Sequence, residues 1–215
     1  MALHTTIEKA KAYSASFYGT MRLDVVERIL LFVALGWFVS RLSLSLTREP
    51  YNIIIMISES IPVLMLVIRK PGNISTGFYA WTVAIIGTFT PLMLTVTGSA
   101  FISAAIGGAV MSFGLMISIA AKVCLNRSFG IVAANRGVKR EGPYRLVRHP
   151  MYLGYIVTQV GFLLVHFSLA NALVCGVTWI ALALRIQAEE SFLNQDGAYR
   201  NYSAAVRYRV IPGII

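Results

Sequence analysis

Apolar segments recur along most of the chain in runs long enough to cross a lipid bilayer. Residues 29–46, 52–68, 79–97 and 101–121 are each predominantly apolar, and residues 150–184 form a further stretch. A helix rises 1.5 Å per residue, so about 20 residues span the hydrocarbon core. The last stretch is therefore too long for one crossing. A polar break at His166, Ser168 and Asn171 divides it into two short helices turning near Ser168. The chain is thus predicted to be all-α, an integral membrane helical bundle of about six spans ending in a helical hairpin. Composition agrees: 57% of residues are hydrophobic and only 13% charged, against about 25% in soluble domains. A water-soluble globule and a disordered chain are both excluded.

Basic residues outnumber acidic ones by 19 to 9. In a soluble protein that excess would suggest nucleic acid. Here its distribution follows the loops. Lys9, Lys11, Arg22 and Arg28 precede the first span, and Arg69 and Lys70 follow the second. Lys122, Arg127, Arg136, Lys139, Arg140, Arg145 and Arg148 follow the fourth, and Arg200, Arg207 and Arg209 lie in the tail. All four groups share one side if both termini are cytoplasmic, as the positive-inside rule requires. No nucleic-acid partner is expected. Residues 1–28 have no early apolar core, so no cleaved signal peptide is expected.

Glu59 falls inside the second span, shortly before Pro62. A carboxylate at that depth must be paired or near water. A structural hydrogen bond in a wetted, kinked helix is the preferred reading, and a substrate-tunnel residue the alternative. Arg41 is expected to snorkel to the interface. Gly107, Gly108 and Gly114 suit close helix contact. Cys124 and Cys175 form no metal-ligand pattern with the scattered histidines, so both are expected to pack and no metal is expected.

The polar chemistry collects in the last third of the chain. Gly142-Pro143 marks a turn, and Pro150 suits the first position of a helix. That helix would present its free N–H groups beside Arg148 and His149, an anion site made by dipole and charge, with Tyr152 one turn further on. Arg185 and Glu189 are four apart and pair along one helix face, leaving Glu190 for another partner. The hairpin brings this second cluster back beside the first. Tyr199, Tyr202 and Tyr208 follow and would form an aromatic lid.

The order of these motifs resembles the isoprenylcysteine carboxyl methyltransferase family and its bacterial relatives. The resemblance rests on residues 142–154 (Gly-Pro-Tyr-Arg-Leu-Val-Arg-His-Pro-Met-Tyr-Leu-Gly), 185–193 (Arg-Ile-Gln-Ala-Glu-Glu-Ser-Phe-Leu) and 199–202 (Tyr-Arg-Asn-Tyr), with 126–131 in addition. It covers about residues 122–212, so residues 1–121 read as membrane spans and 122–215 as the cofactor-binding region. It implies an S-adenosylmethionine-dependent methyltransferase with a cytosol-facing pocket and a lipophilic or prenylated acceptor entering from the bilayer. Arg148 and Glu190 are then the candidate catalytic residues. Pro143, Tyr144, His149, Tyr152, Leu153, Glu189, Glu190, Tyr199 and Tyr202 are the candidate cofactor-binding residues. Arg148 and His149 would meet the cofactor carboxylate, Glu189 or Glu190 its amine or ribose, and the tyrosines its adenine or sulfonium. Glu190 is also a candidate to take a proton from a thiol or amine acceptor. Lys122, Asn126 and Arg127 are expected to position the acceptor. The implied location is a bacterial inner membrane. The alternatives are a membrane reductase using NADPH and a non-catalytic lipid-binding scaffold.

Overall fold

The computed structural model describes residues 28–65, 73–74, 77–128, 134–135 and 137–213. Helix α1 runs through residues 28–43. It turns Leu31, Phe38 and Leu42 inward, all essentially fully buried and spaced by seven and four residues on one face. After a 3₁₀ turn at Pro50–Asn52 comes α2 (Ile53–Met65). Helix α3 (Phe78–Phe89) tightens into a 3₁₀ turn, Thr90–Met93, whose Pro91 cannot donate to an α-helical ladder. The expected third span therefore leaves helical geometry well before residue 97.

Helix α4 (Ala104–Leu125) starts from a Ser103 cap that accepts the Ile106 N–H. It runs beyond the expected edge at 121, so Lys122 is helical and buried rather than in a loop. Helices α5 (Pro150–Val165) and α6 (Leu169–Leu193) form the expected hairpin. Their antiparallel course follows from cross-contacts at both levels: Tyr152 meets Glu189 near the open end, and Trp179 meets Gln159 midway. The turn is held by Asn171, whose Nδ2 donates to the carbonyls of His166 and Thr95 (both 2.8 Å). Helix α6 continues past residue 184, so the Arg185–Glu190 cluster is the last part of a helix and not the start of a polar tail. Helix α7 (Gly197–Ala205) follows, capped by Asp196.

Among the described residues, extended pairing is limited to Asn73–Ile74 with Ala134–Asn135 and one bridge, Ser99 with Phe167. The most intimate helix contact is α4 on α5. A Cβ at Gly114 would lie 2.5 Å from the Thr158 nitrogen, and one at Gly154 would lie 2.6 Å from the Ser118 nitrogen. Gly107 and Gly114 thus serve the close approach expected of them, while Gly108 faces Tyr51 with ordinary clearance.

The outer faces are apolar. On α4, Ile106, Phe113, Met116 and Val123 are exposed, and on α6 Leu169, Leu173, Val177 and Ile180. Helices α4 and α6 are long and apolar enough to cross a membrane, and α2, α3 and α5 are shorter apolar helices. Arg41 does not snorkel. Its Nη2 donates to the carbonyls of Leu92 (2.8 Å) and Leu94, satisfying groups that the end of the 3₁₀ turn leaves free, and its guanidinium lies 4.3 Å from the Trp37 ring centre. Cys124 and Cys175 are free thiols packed within the fold.

Candidate functional site

Three segments converge where the hairpin opens: the start of α5, the end of α6 and the chain after α7. His149 is the N-cap of α5 but makes no side-chain cap bond. Its ring turns instead to Glu190, with Nε2 3.1 Å from Oε1. Arg148 Nη1 reaches the same oxygen at 3.1 Å, and Arg209 Nε donates to Oε2 at 2.9 Å. Glu190, left by the Arg185–Glu189 pair for another partner, is engaged by three cationic or potentially cationic side chains.

Glu189 forms the adjoining layer. Its Oε1 accepts from Tyr152 OH (2.6 Å) and Arg185 Nε (3.0 Å), and His149 Nδ1 lies 3.8 Å from Oε2. The predicted i,i+4 pair of Arg185 and Glu189 is therefore present. The His149 and Tyr152 rings stack at 5.6 Å with 8° between planes, and the Arg185 guanidinium covers Tyr152 from 5.3 Å. The result is a largely buried, alternating lattice of charge and ring.

The chain after α7 docks by backbone bonds. Arg148 N–H donates to Tyr208 O (2.9 Å), and His149 N–H donates to Arg209 O (2.7 Å). Arg148 Nη2 also donates to Arg207 O at 3.2 Å. Tyr199 and Tyr202 are buried and meet edge to face at 5.8 Å, leaving Tyr208 as the exposed member of the expected lid. Tyr202 OH donates to Tyr144 O at 2.8 Å, which ties α7 to the 3₁₀ turn Gly142–Arg145. That turn holds Pro143 and the buried Tyr144. It needs glycine at its start, because Gly142 has φ +56° and a Cβ there would lie 2.7 Å from Cys124 Sγ. Burial pushes the Tyr202 phenol up to about 12 against the opposing charges of Arg148 and Arg140. Burial, with smaller contributions from Tyr202 and Glu189, raises Tyr144 well above its ordinary value.

Two buried polar atoms here have no partner: Arg148 Nε and Tyr199 OH. Tyr199 is close enough to Arg148 and Glu190 to feel both charges. A ligand carrying acceptors and donors of its own would satisfy these atoms, which is what a polar cofactor end offers. No group of three metal-ligating side chains occurs among the described residues.

Leu153 packs against the core beside Tyr152. Lys122 lies elsewhere than expected. It is buried below the site, with Nζ 4.7 Å from the Tyr155 ring centre and 3.5 Å from Ser58 O, facing Glu59. Asn126 ends α4 in a left-handed conformation (φ 49°) with an exposed side chain. The Arg127 side chain lies outside the described residues. Arg209 was missed as a site residue. Its signal was faint: an alternation of basic and bulky residues over 207–210 that suits an extended strand.

Residues 101–200 match the family model described as phospholipid methyltransferase. A curated plant protein, Protein-S-isoprenylcysteine O-methyltransferase A of Arabidopsis thaliana, is 33% identical over 101 residues. That match covers 40% of this chain and 50% of the relative, so it spans about half of the curated protein's length. The matched stretch contains α4, the hairpin and the first turn of α7. Most of the segment that builds the site therefore lies within a stretch similar to the phospholipid methyltransferase family model.

Proposed function

We propose that this chain is an integral membrane methyltransferase that uses S-adenosylmethionine and acts on a lipophilic acceptor. The observation that carries the reading is the Arg148–His149–Glu190–Arg209 cluster with two orphaned polar atoms beside it, all of it except Arg209 inside the stretch that matches a methyltransferase family model. When bound, the cofactor supplies an electrophilic methyl group. Arg148 and His149 suit its carboxylate, Glu189 or Glu190 its amine or ribose hydroxyls, and Tyr199 a remaining polar atom. Pro143, Tyr144, Tyr152, Leu153 and Tyr202 shape the surrounding wall.

The chain's own contribution is positional. Glu190 keeps Arg148 and Arg209 oriented, and the docked tail excludes water from the charged lattice. Holding donor and acceptor in line accounts for most of the acceleration such an enzyme needs. A carboxylate acceptor is placed by a cation such as Arg148, whereas a thiol or amine acceptor gives its proton to a nearby carboxylate. The relative's name points to a prenylated acceptor, with Asn126 and Arg127 at the acceptor side and Lys122 deeper in the bundle beside Glu59. The apolar outer faces support insertion in a bilayer through about six crossings. The charge pattern supports cytoplasmic termini and a site facing the cytosol, and the resemblance to bacterial relatives is the sole ground for a bacterial inner membrane.

The test is a transfer assay with labelled methyl donor on the full chain in lipid, against phospholipid amines, prenylated thiols and isoprenoid acids. Label in one lipid-soluble product class is expected. Label in none, together with binding of reduced dinucleotide, would replace this reading with a membrane reductase; binding of neither cosubstrate would favour a scaffold.

A further inference from the structure

A second polar site lies about two helical turns below the charged lattice, since Gln159 is seven residues beyond Tyr152 on α5 at 1.5 Å per residue. A partly open cavity of about 30 Å³ is lined there by Glu59, Tyr155, Gln159, Thr178 and Arg185. That volume holds one water-sized group. Helix α2 packs on α4 and α5, whereas α3 packs on α6. The cavity, lined by Pro62 and Val63 of α2 and by Gly87 and Thr88 of α3, lies where these two layers meet.

The cavity contains an unmet acceptor. Glu59 is over nine-tenths buried and its Oε1 has no partner. Lys122 opposes its charge, and Arg185 is matched by Glu189. The site is therefore close to neutral yet short of one hydrogen-bond donor. A second cation would add repulsion from Lys122 and Arg185, and an anion would face Glu59. A neutral donor such as a hydroxyl meets the orphaned oxygen at no charge penalty.

We propose that this cavity is a head-group subsite in which Glu59 accepts a hydrogen bond from an uncharged hydroxyl-type donor on an amphiphile whose chain lies between α2 and α3. As a subsite of the methyl acceptor it rests on the methyltransferase reading; as a binding site it does not. Arg185 joins the two levels, because it lines the cavity and also donates to Glu189.

The structure supplies a reporter: Trp179 Nε1 donates to Gln159 Oε1 at 2.9 Å, and Gln159 lines the cavity. The full chain carrying Trp37→Phe and Trp81→Phe would be placed in phospholipid nanodiscs and titrated with dodecanol, dodecanoate and dodecyltrimethylammonium. Dodecanol should shift Trp179 fluorescence saturably, at concentrations at least about tenfold below the two charged probes. Glu59→Leu combined with Lys122→Met removes the pair without stranding a charge and should weaken dodecanol about tenfold. S-adenosylhomocysteine affinity should stay within about twofold. The unmodified chain provides a second readout that does not depend on the folding of that variant. Dodecanol, but not dodecane, should slow carbodiimide modification of Glu59 at least about threefold by mass spectrometry. Equal binding of all three probes, an unaffected double variant or an unchanged modification rate would each overturn the subsite, leaving an internal water only. Loss of S-adenosylhomocysteine binding in the unmodified chain would instead count against the methyltransferase reading and leave the dodecanol result standing.

Discussion

Arg209 closes on Glu190 across 19 residues of chain, with its Nε 2.9 Å from Oε2. On the other side of the same carboxylate, Arg148 and His149 share Oε1. Glu190 therefore fastens the docked tail to the start of α5, and the site exists only while all three segments are in register.

Arg209→Gln should loosen the tail and leave the bundle intact. The Arg209 side chain is about half exposed, so its ion pair contributes only about 0.2–1 kcal/mol to stability. The visible effect should be local. Hydrogen exchange at the His149 amide, which donates to Arg209 O, should speed up by about threefold or more, while exchange in the α4–α5 seam is unchanged.

Glu190→Ala should be far more damaging. It leaves Arg148 and His149 buried without their shared anion, and breaking a buried pair from one side costs about 3–5 kcal/mol. Glu190→Gln keeps the shape and loses only the charge. It should remain folded in detergent while losing cosubstrate binding. Thermal melts of the two variants, run side by side, separate folding from binding. Melting temperatures of both variants equal to that of the unmodified chain would mean the lattice contributes nothing to the fold.

The α4–α5 seam makes a separate prediction. Gly154→Ala places a methyl group 2.6 Å from the Ser118 backbone nitrogen. The helices must separate, at a cost of about 1–3 kcal/mol. Gly176→Ala is the control, because a Cβ there meets nothing within 4 Å. A lowered melting temperature is expected for the first variant and not for the second.

Tyr202 gives the pH dependence. Its phenol is held neutral up to about 12 in the fold, against about 10 in an unfolded chain. Between those values the unfolded state binds fewer protons, so stability is full below about pH 10 and falls as pH rises toward 12. Tyr202→Phe removes that contribution to the alkaline loss, along with about 1 kcal/mol from the bond to Tyr144 O. The variant should be less stable at pH 8, and its melting temperature should fall less steeply above pH 10.

Much of this architecture was legible from local pattern. The apolar runs gave the helices, and the polar break at His166 and Ser168 gave the hairpin, because such signals lie within one segment. The hairpin in turn placed Arg148 and His149 beside Glu189 and Glu190. Helix ends were less legible: α4 continues through Lys122 because that side chain finds Glu59 and the Tyr155 ring inside the bundle. Periodicity carries no trace of a partner on another helix. For the same reason Glu59 and Lys122 each stood out in the sequence without being joined. Arg209 escaped notice because its role depends on a tail pairing with residues some 60 positions earlier.

The most direct measurement is a calorimetric titration of the full chain in detergent with S-adenosylhomocysteine, repeated for Glu190→Gln and His149→Ala. Saturable one-to-one binding is predicted, weakened at least about tenfold in both folded variants. Absence of binding to the unmodified chain, or undiminished binding to both variants, would contradict the account.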